Sequence, residues 1–169
     1  MLLNLQPDCP LNAFASIVSK TNFVVPEINS FALQRQSFNR LRILIVDNYP
    51  DICELFALVL EEIGAEVITA TSCAKALTHI QEKPPDVLIS EIFLPDENGL
   101  TLIRKARNLT AEATQAMLAI AVTSYTGKQE QAEICSAGFQ KCLSKPVDVY
   151  KLVEVVVDMI EERDNSQQV

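Results

Sequence analysis

From Leu41 onward the chain alternates short apolar runs with longer segments of helical periodicity. The predicted strands are LRILIV (41–46), AEVITA (65–70), DVLISE (86–91), MLAIAV (117–122) and FQKCLS (139–144). After each strand, apolar residues recur every three or four positions, which is typical of an amphipathic helix. Five strands that alternate with helices predict an α/β fold, a doubly wound five-stranded parallel sheet with helices on both faces.

Charge divides the chain into segments. Residues 1–40 contain two acids and three bases, whereas the remainder contains 20 acids and 11 bases. We therefore predict an N-terminal extension over 1–40 that is flexible or loosely docked, a domain over 41–162 and a polar tail over 163–169. The formal net charge of -8 argues against nucleic acid as a direct partner.

The first residues and the cysteines indicate the cellular compartment. Pro7 and Pro10 interrupt the first apolar stretch and no basic segment precedes it, so neither a signal peptide nor a membrane span is expected. The five cysteines are scattered, without a C-x-x-C pair or a histidine cluster. This pattern predicts a cytoplasmic protein with reduced thiols and disfavours a zinc site.

Polar side chains stand where the predicted strands end. Asp47 and Asn48 follow the first strand, Glu91 ends the third, Thr123 follows the fourth and Lys145 follows the fifth. The carboxyl ends of parallel strands meet at one edge of a sheet, so these residues should converge there. Two acids, an amide, a hydroxyl and an ammonium suit a divalent cation with a phosphoryl group. They equally suit a lysine–carboxylate network that only compensates charge at the strand ends.

Four segments resemble the bacterial response-regulator receiver domain. ILIVDNYPD resembles the family's first strand and acidic pair, and PDVLISEIFLPDENGL resembles its phosphorylation-site strand and loop. AVTSYT resembles its fourth strand, and SAGFQKCLSKP resembles its fifth strand with a Lys-Pro pair. The resemblance covers residues 41 to about 162. It implies the flavodoxin-like (βα)5 architecture of CheY-like receivers, with strand order 2-1-3-4-5.

The resemblance also implies roles for individual residues. In this family an Asp at the end of the third strand accepts a phosphoryl group from a histidine kinase, and Mg²⁺ is bound beside it. Glu91 occupies the acceptor position in this sequence. Asp47 and Asn48 correspond to the acidic pair, and Phe93 corresponds to the residue whose backbone carbonyl binds the metal. Thr123 and Lys145 correspond to the two phosphoryl contacts. The Lys145–Pro146 peptide is expected to be cis.

Three residues depart from the family's pattern. Glu91 moves the acceptor carboxylate by one methylene, about 1.5 Å, from the point where attack is arranged. Asn48 replaces the second acid of the pair, so Mg²⁺ should bind weakly or not at all. Cys142 stands where the family usually has the Tyr or Phe of its conformational switch. We therefore expect a stand-alone pseudo-receiver, not an enzyme, that acts by phosphorylation-independent protein–protein interaction.

Two alternative functions remain open at this point. The chain could be a working phospho-acceptor that uses Glu91 or Asp47 with weakly bound Mg²⁺. It could also be a thiol redox sensor through Cys142, whose place near Lys145 makes it the best candidate for a low-pKa thiol.

The last predicted helix suggests where a partner would bind. Tyr150, Val155 and Val157 fall outside its core-facing stripe and predict an interaction face for a protein partner or a homodimer. Deeper burial of these residues is the competing interpretation. The sequence also leaves open whether Glu91 imitates a phosphorylated aspartate or is inert.

Overall fold

The computed structural model describes residue 38 and residues 41–109, 112–124 and 127–166. The elements in these ranges follow one another as β1 (Arg42–Val46), α1 (Pro50–Glu62), β2 (Glu66–Ala70), α2 (Cys73–Glu82), β3 (Val87–Glu91), α3 (Gly99–Arg107), α4 (Glu112–Ala116), β4 (Leu118–Thr123), α5 (Lys128–Ala137), β5 (Lys141–Ser144) and α6 (Val149–Ser166). In the described part, no helix is long and apolar enough to cross a membrane.

The strands form one five-stranded sheet in the order β2-β1-β3-β4-β5, and all neighbours are parallel. The predicted sheet and strand order are therefore confirmed. β5 begins two residues later than predicted, and Phe139, which precedes it, is buried in the core. The short helix α4 was not predicted.

The central strand β3 and its neighbour β1 are buried along their whole length. Leu44, Val46 and Leu88 point into an apolar cluster that includes buried residues of α2, α3 and α5. Helices covering both faces leave no room for charged groups inside the sheet. The polar residues of β1 and β3 are therefore confined to the strand ends, where the backbone leaves the sheet.

Three helices begin with a side chain that caps the first turn. Ser72 Oγ accepts a hydrogen bond from Lys75 N, and Asn98 Oδ1 accepts one from Leu100 N. Asp148 Oδ1 accepts one from the backbone N–H of Tyr150 at the start of α6. These bonds satisfy amides that have no partner within the helix. They also fix the direction in which the chain leaves the site edge after β3 and β5.

Residues outside the predicted bounds of the domain take part in the described structure. Phe38 is buried, and its carbonyl accepts a hydrogen bond from Leu41 N, so a residue of the predicted extension belongs to the core. At the other end α6 runs to Ser166, into the predicted polar tail. Within that tail, Arg163 Nη1 lies 3.7 Å from Asp86 Oδ1. Residues 1–37, 39 and 40 lie outside the described residues, so the remainder of the extension stays a prediction.

The predicted interaction face on α6 needs correction. Val157 is 6% exposed and Val155 is half-buried, whereas Tyr150 is exposed. Burial extends beyond the stripe predicted from periodicity, and α6 packs against α1. Val157 is therefore a core residue, and a charge placed there would test folding rather than partner binding. Of the three residues, Tyr150 alone is clearly a surface residue.

Candidate functional site

The carboxyl edge of the sheet brings the predicted site residues together. Asp47 directly follows β1 and is 2% exposed, while Glu91 ends the neighbouring strand β3 and is 6% exposed. Val46 is in register with Ser90, so the two acids lie side by side at the ends of adjacent strands. Thr123, buried at the end of β4, lies one strand further along the sheet.

Lys145 joins the two acids. Its Nζ lies 2.8 Å from Asp47 Oδ2 and 2.5 Å from Glu91 Oε2. Its backbone N–H donates to the carbonyl of Thr123 at 2.9 Å, which places the side chain above the ends of the central strands. The Lys145–Pro146 peptide is cis, as predicted. Lys145 thus forms ion pairs with both acids, as a charge-compensating network requires.

Backbone amides hold the other oxygen of each carboxylate. Asp47 Oδ1 accepts from Tyr49 N at 2.9 Å. Glu91 Oε1 accepts from Ile92 N at 2.6 Å and from Phe93 N at 3.0 Å. The longer Glu side chain folds back onto the two residues that follow it. All four carboxylate oxygens of Asp47 and Glu91 thus have hydrogen-bond or ion-pair partners.

Two opposing effects act on the Lys145 ammonium. Burial lowers its pKa, but hydrogen bonds and ion pairs with Asp47 and Glu91 outweigh this, so the pKa of Lys145 is raised above its usual value. Lys145 is therefore charged at neutral pH and supplies positive charge between the two acids. We refer to Asp47, Glu91 and Lys145 as the charge cluster.

The remaining predicted site residues are Asn48, Phe93 and Cys142. Asn48 is half-buried beside Asp47, and the Phe93 side chain is exposed at the edge. Cys142 lies in β5, in register with Ala121, and packs partly against the apolar cluster. Burial and the nearby Cys135 raise the pKa of the Cys142 thiol. An apolar surrounding disfavours the thiolate, so the raised pKa argues against Cys142 as a reactive thiol.

Sequence reasoning missed the contacts that fix the loop after β3. Asp96 accepts hydrogen bonds from Cys73 N and Ala74 N, both at 3.0 Å, and so caps α2 from a distant loop. The bond from Ala74 is the main cause that lowers the pKa of Asp96. The PDENG segment indicated a turn, but no local signal identified the start of α2 as its partner.

Gly99 brings the same loop back against β3. Its N–H donates to the carbonyl of Ile92 at 2.7 Å, and Phe93 forms a β-bridge with Asn98. A Cβ at position 99 would lie 2.4 Å from the backbone oxygen of Glu91. A glycine is therefore required for the chain to pass this close to the residue at the centre of the site.

One family of known proteins matches most of the chain. The family model for the response regulator receiver domain matches residues 43–157, more than half of the chain. The chain belongs to this family.

Curated relatives of this receiver domain differ in length. It is 33% identical over 121 residues to an uncharacterised 14.6 kDa protein of Leptolyngbya boryana, covering 72% of this chain and 91% of that protein. It is 29% identical over 126 residues to the response regulator protein PilR of Pseudomonas aeruginosa, covering 75% of this chain but 27% of PilR. Over 113 residues it is 26% identical to the virulence transcriptional regulatory protein PhoP of Salmonella typhimurium, covering 67% of this chain and 49% of PhoP.

Solved structures support the same assignment. A CheY-like response regulator receiver domain protein from Methanospirillum hungatei JF-1 superposes with a TM-score of 0.68 at 30% identity, covering 74% of this chain and 97% of that one. A putative response regulator from Chloroflexus aurantiacus J-10-fl gives a TM-score of 0.66 at 30% identity, covering 72% and 98%. The CheY-like receiver fold is confirmed.

Proposed function

We propose that this receiver domain signals by binding another protein and does not accept a phosphoryl group at Glu91. The observation that carries the proposal is the engagement of both Glu91 oxygens, one by Lys145 and the other by the amides of Ile92 and Phe93. An acceptor carboxylate must direct a lone pair at phosphorus in line with the leaving group. Glu91 would have to give up one of these interactions to do so.

Lys145 is likewise already engaged in ion pairs. The family resemblance gives it the task of contacting the incoming phosphoryl oxygens, but its ammonium already lies between Asp47 and Glu91. Electrostatic stabilisation of a transferred group depends on donors that are aimed in advance at the charge that develops. A lysine that neutralises two buried acids is less available for that purpose. The charge cluster therefore favours a structural role at this edge.

The residues also fit a bound Mg²⁺ poorly, and we propose weak binding or none. Mg²⁺ requires nearly ideal octahedral geometry and usually binds through one or two carboxylates. Here each oxygen of Asp47 and Glu91 has a partner, and the Lys145 ammonium would repel a second cation at this position. Among the described residues, no group of three or more His, Cys, Asp or Glu side chains could hold a metal ion.

The domain would transmit its signal by contact with another protein. The family consists of signalling domains, and two relatives are named as a response regulator and a transcriptional regulatory protein. A non-enzymatic, cytoplasmic adaptor agrees with this setting and with the acidic composition. A homodimer is the other form that the proposal allows. A thiol redox sensor is disfavoured because the pKa of Cys142 is raised.

Treatment with acetyl phosphate and Mg²⁺ should leave the intact mass of the protein unchanged. The double variant Glu91→Asp with Asn48→Asp should gain a phosphoryl adduct, because the shorter carboxylate is freed from the Phe93 amide and the second acid restores metal affinity. An adduct on the unmodified protein that Glu91→Gln or Asp47→Asn abolishes would establish a working phospho-acceptor and overturn the proposal.

Magnesium should have little effect on thermal stability. Millimolar Mg²⁺ should shift the melting temperature of the unmodified protein by less than about 1 °C, whereas Asn48→Asp should gain about 3 °C or more. The physical reason is the added carboxylate, which supplies a metal ligand that is not already paired with Lys145. Sodium chloride at matched ionic strength is the control. A large Mg²⁺ stabilisation of the unmodified protein would show that the metal site is intact.

A further inference from the structure

Two large aromatic side chains are exposed at the edge that carries the charge cluster. Tyr49, two residues after Asp47, is 61% exposed, and Phe93, two residues after Glu91, is 51% exposed. They follow β1 and β3, which are neighbours in the sheet. Exposed aromatic residues at one edge provide apolar contact area and ring faces that can receive a cation.

The charge cluster fixes the backbone beneath both rings. Tyr49 N donates to Asp47, Asp47 and Glu91 share Lys145, and Glu91 accepts from Phe93 N. This continuous series of hydrogen bonds and ion pairs links the two aromatic loops through buried groups. Loops that are ordered before binding lose less conformational entropy when a partner docks.

The surface beside Tyr49 is acidic. Asp51 and Glu54 are exposed on α1, three residues apart and therefore on the same helical face. Asp96 and Glu97 in the loop after β3 are exposed as well, but Asp96 accepts hydrogen bonds from the start of α2 and Glu97 pairs with Lys105. The formal net charge of the chain is -8. Complementarity of charge thus selects a basic partner.

We propose that Tyr49, Phe93, Asp51 and Glu54, termed the aromatic–acidic edge, bind an arginine-containing segment of another protein. A guanidinium group can stack on the ring of Tyr49 or Phe93 while it pairs with a carboxylate of Asp51 or Glu54, which a lysine ammonium does less well. A second copy of this chain would bring its own acidic edge and be repelled. This inference rests on the proposed function and specifies the chemistry of its partner.

A short fluorescein-labelled peptide of alternating Arg and Ser is the probe, and fluorescence anisotropy measures its binding to the full chain. The Arg peptide should bind more tightly than matched Lys–Ser and Glu–Ser peptides, and its affinity should fall as salt is raised. Tyr49→Ala and Phe93→Ala should each weaken binding about fivefold. Asp51→Asn with Glu54→Gln should weaken binding and reduce its salt dependence.

Matched controls separate this edge from general surface effects. Glu82→Gln removes an exposed acid at the end of α2, and Glu133→Gln removes an exposed acid on α5. Both should leave the affinity unchanged. Thermal melting of every variant confirms folding, and because the substituted side chains are exposed, the melting temperatures should remain close to that of the unmodified protein.

Several results would overturn the inference. These are full affinity in both Tyr49→Ala and Phe93→Ala, equal affinity for the Arg and Lys peptides, or a dimer in sedimentation that Tyr49→Ala dissociates. Repeating the titration after acetyl phosphate treatment, with intact mass as a check, separates the two proposals. Absence of binding with no change in mass would overturn this inference alone. Binding that appears only with a phosphoryl adduct would overturn the proposed function.

Discussion

Lys145→Met is expected to lower the free energy of unfolding at about pH 7 by about 3–5 kcal/mol. The methionine fills similar space but removes the ammonium that lies 2.8 Å from Asp47 Oδ2 and 2.5 Å from Glu91 Oε2. Asp47 and Glu91 are almost fully buried, so in the variant two negative charges would lie close together with little screening by solvent. Urea denaturation of the two proteins measures the difference.

The pH dependence of this effect has a definite sign. In the unmodified protein the folded pKa of Lys145 is raised above its ordinary 10.5, so its stabilising contribution is fully present below that pH and is lost as the pH rises through the folded pKa. Lys145→Met lacks this titrating group, so the part of the stability difference that comes from the Lys145 ammonium should shrink as the pH rises above 10.5. Urea denaturation of both proteins at pH values below and above 10.5 measures this change.

A neutral version of the charge cluster is the matched control. The triple variant Asp47→Asn, Glu91→Gln, Lys145→Met keeps the shapes of the side chains and removes every charge. It should recover most of the stability that Lys145→Met loses, because burying an unpaired charge costs far more than burying a hydrogen-bonded amide. A cost below about 1 kcal/mol for Lys145→Met alone would show that the cluster is no stronger than a surface ion pair.

Gly99→Ala should also be strongly destabilising, by about 2–3 kcal/mol. The added Cβ would lie 2.4 Å from the carbonyl oxygen of Glu91 and 3.0 Å from the Cα of Ile92. Both are backbone atoms, so no side chain can rotate to make room. Relief would require the end of β3 to move away from α3, which would also shift Glu91 within the charge cluster. Thermal or urea unfolding measures the cost.

Gly127→Ala is the matched control for this clash. Its Cβ would meet the end of the Glu130 side chain, which can swing into solvent. We expect a loss below about 1 kcal/mol, arising mainly from the poorer helix start that alanine provides before α5. If the two glycine substitutions proved equally costly, the close passage of Gly99 against Glu91 would not be the reason for a glycine at that position.

The sequence alone predicted the fold well because its signals are local. Apolar runs such as LRILIV and VLIS mark strands that are buried on both faces, and the segments between them carry helical periodicity. Parallel strands with helical connections align their carboxyl ends, so the meeting of Asp47, Glu91 and Lys145 followed from topology. The caps at Ser72 and Asn98 were equally local signals.

Two features could not be predicted from local signals: which residues of α6 are buried, and which hydrogen bonds hold the loops in place. Periodicity identified one apolar stripe, but Val157 outside that stripe is buried as well, and α6 packs against α1. Arg107 is a second case, since its guanidinium donates to the carbonyls of Met117 and Gly138 and joins segments on either side of β4. Such contacts depend on how neighbouring helices settle over the sheet.

At the site itself, the sequence determined which groups are present and at which edge they meet. It determined that the carboxylate at the end of β3 is a glutamate and that the second position of the pair is an amide. The tertiary structure decided how they pair: Lys145 reaches Asp47 across 98 residues of sequence, and Glu91 turns one oxygen back to its own loop. Composition cannot distinguish a phosphoryl site from a closed charge cluster, because both use the same groups. Hydrogen-bond geometry makes the difference, and it arises only when the strand ends are packed together.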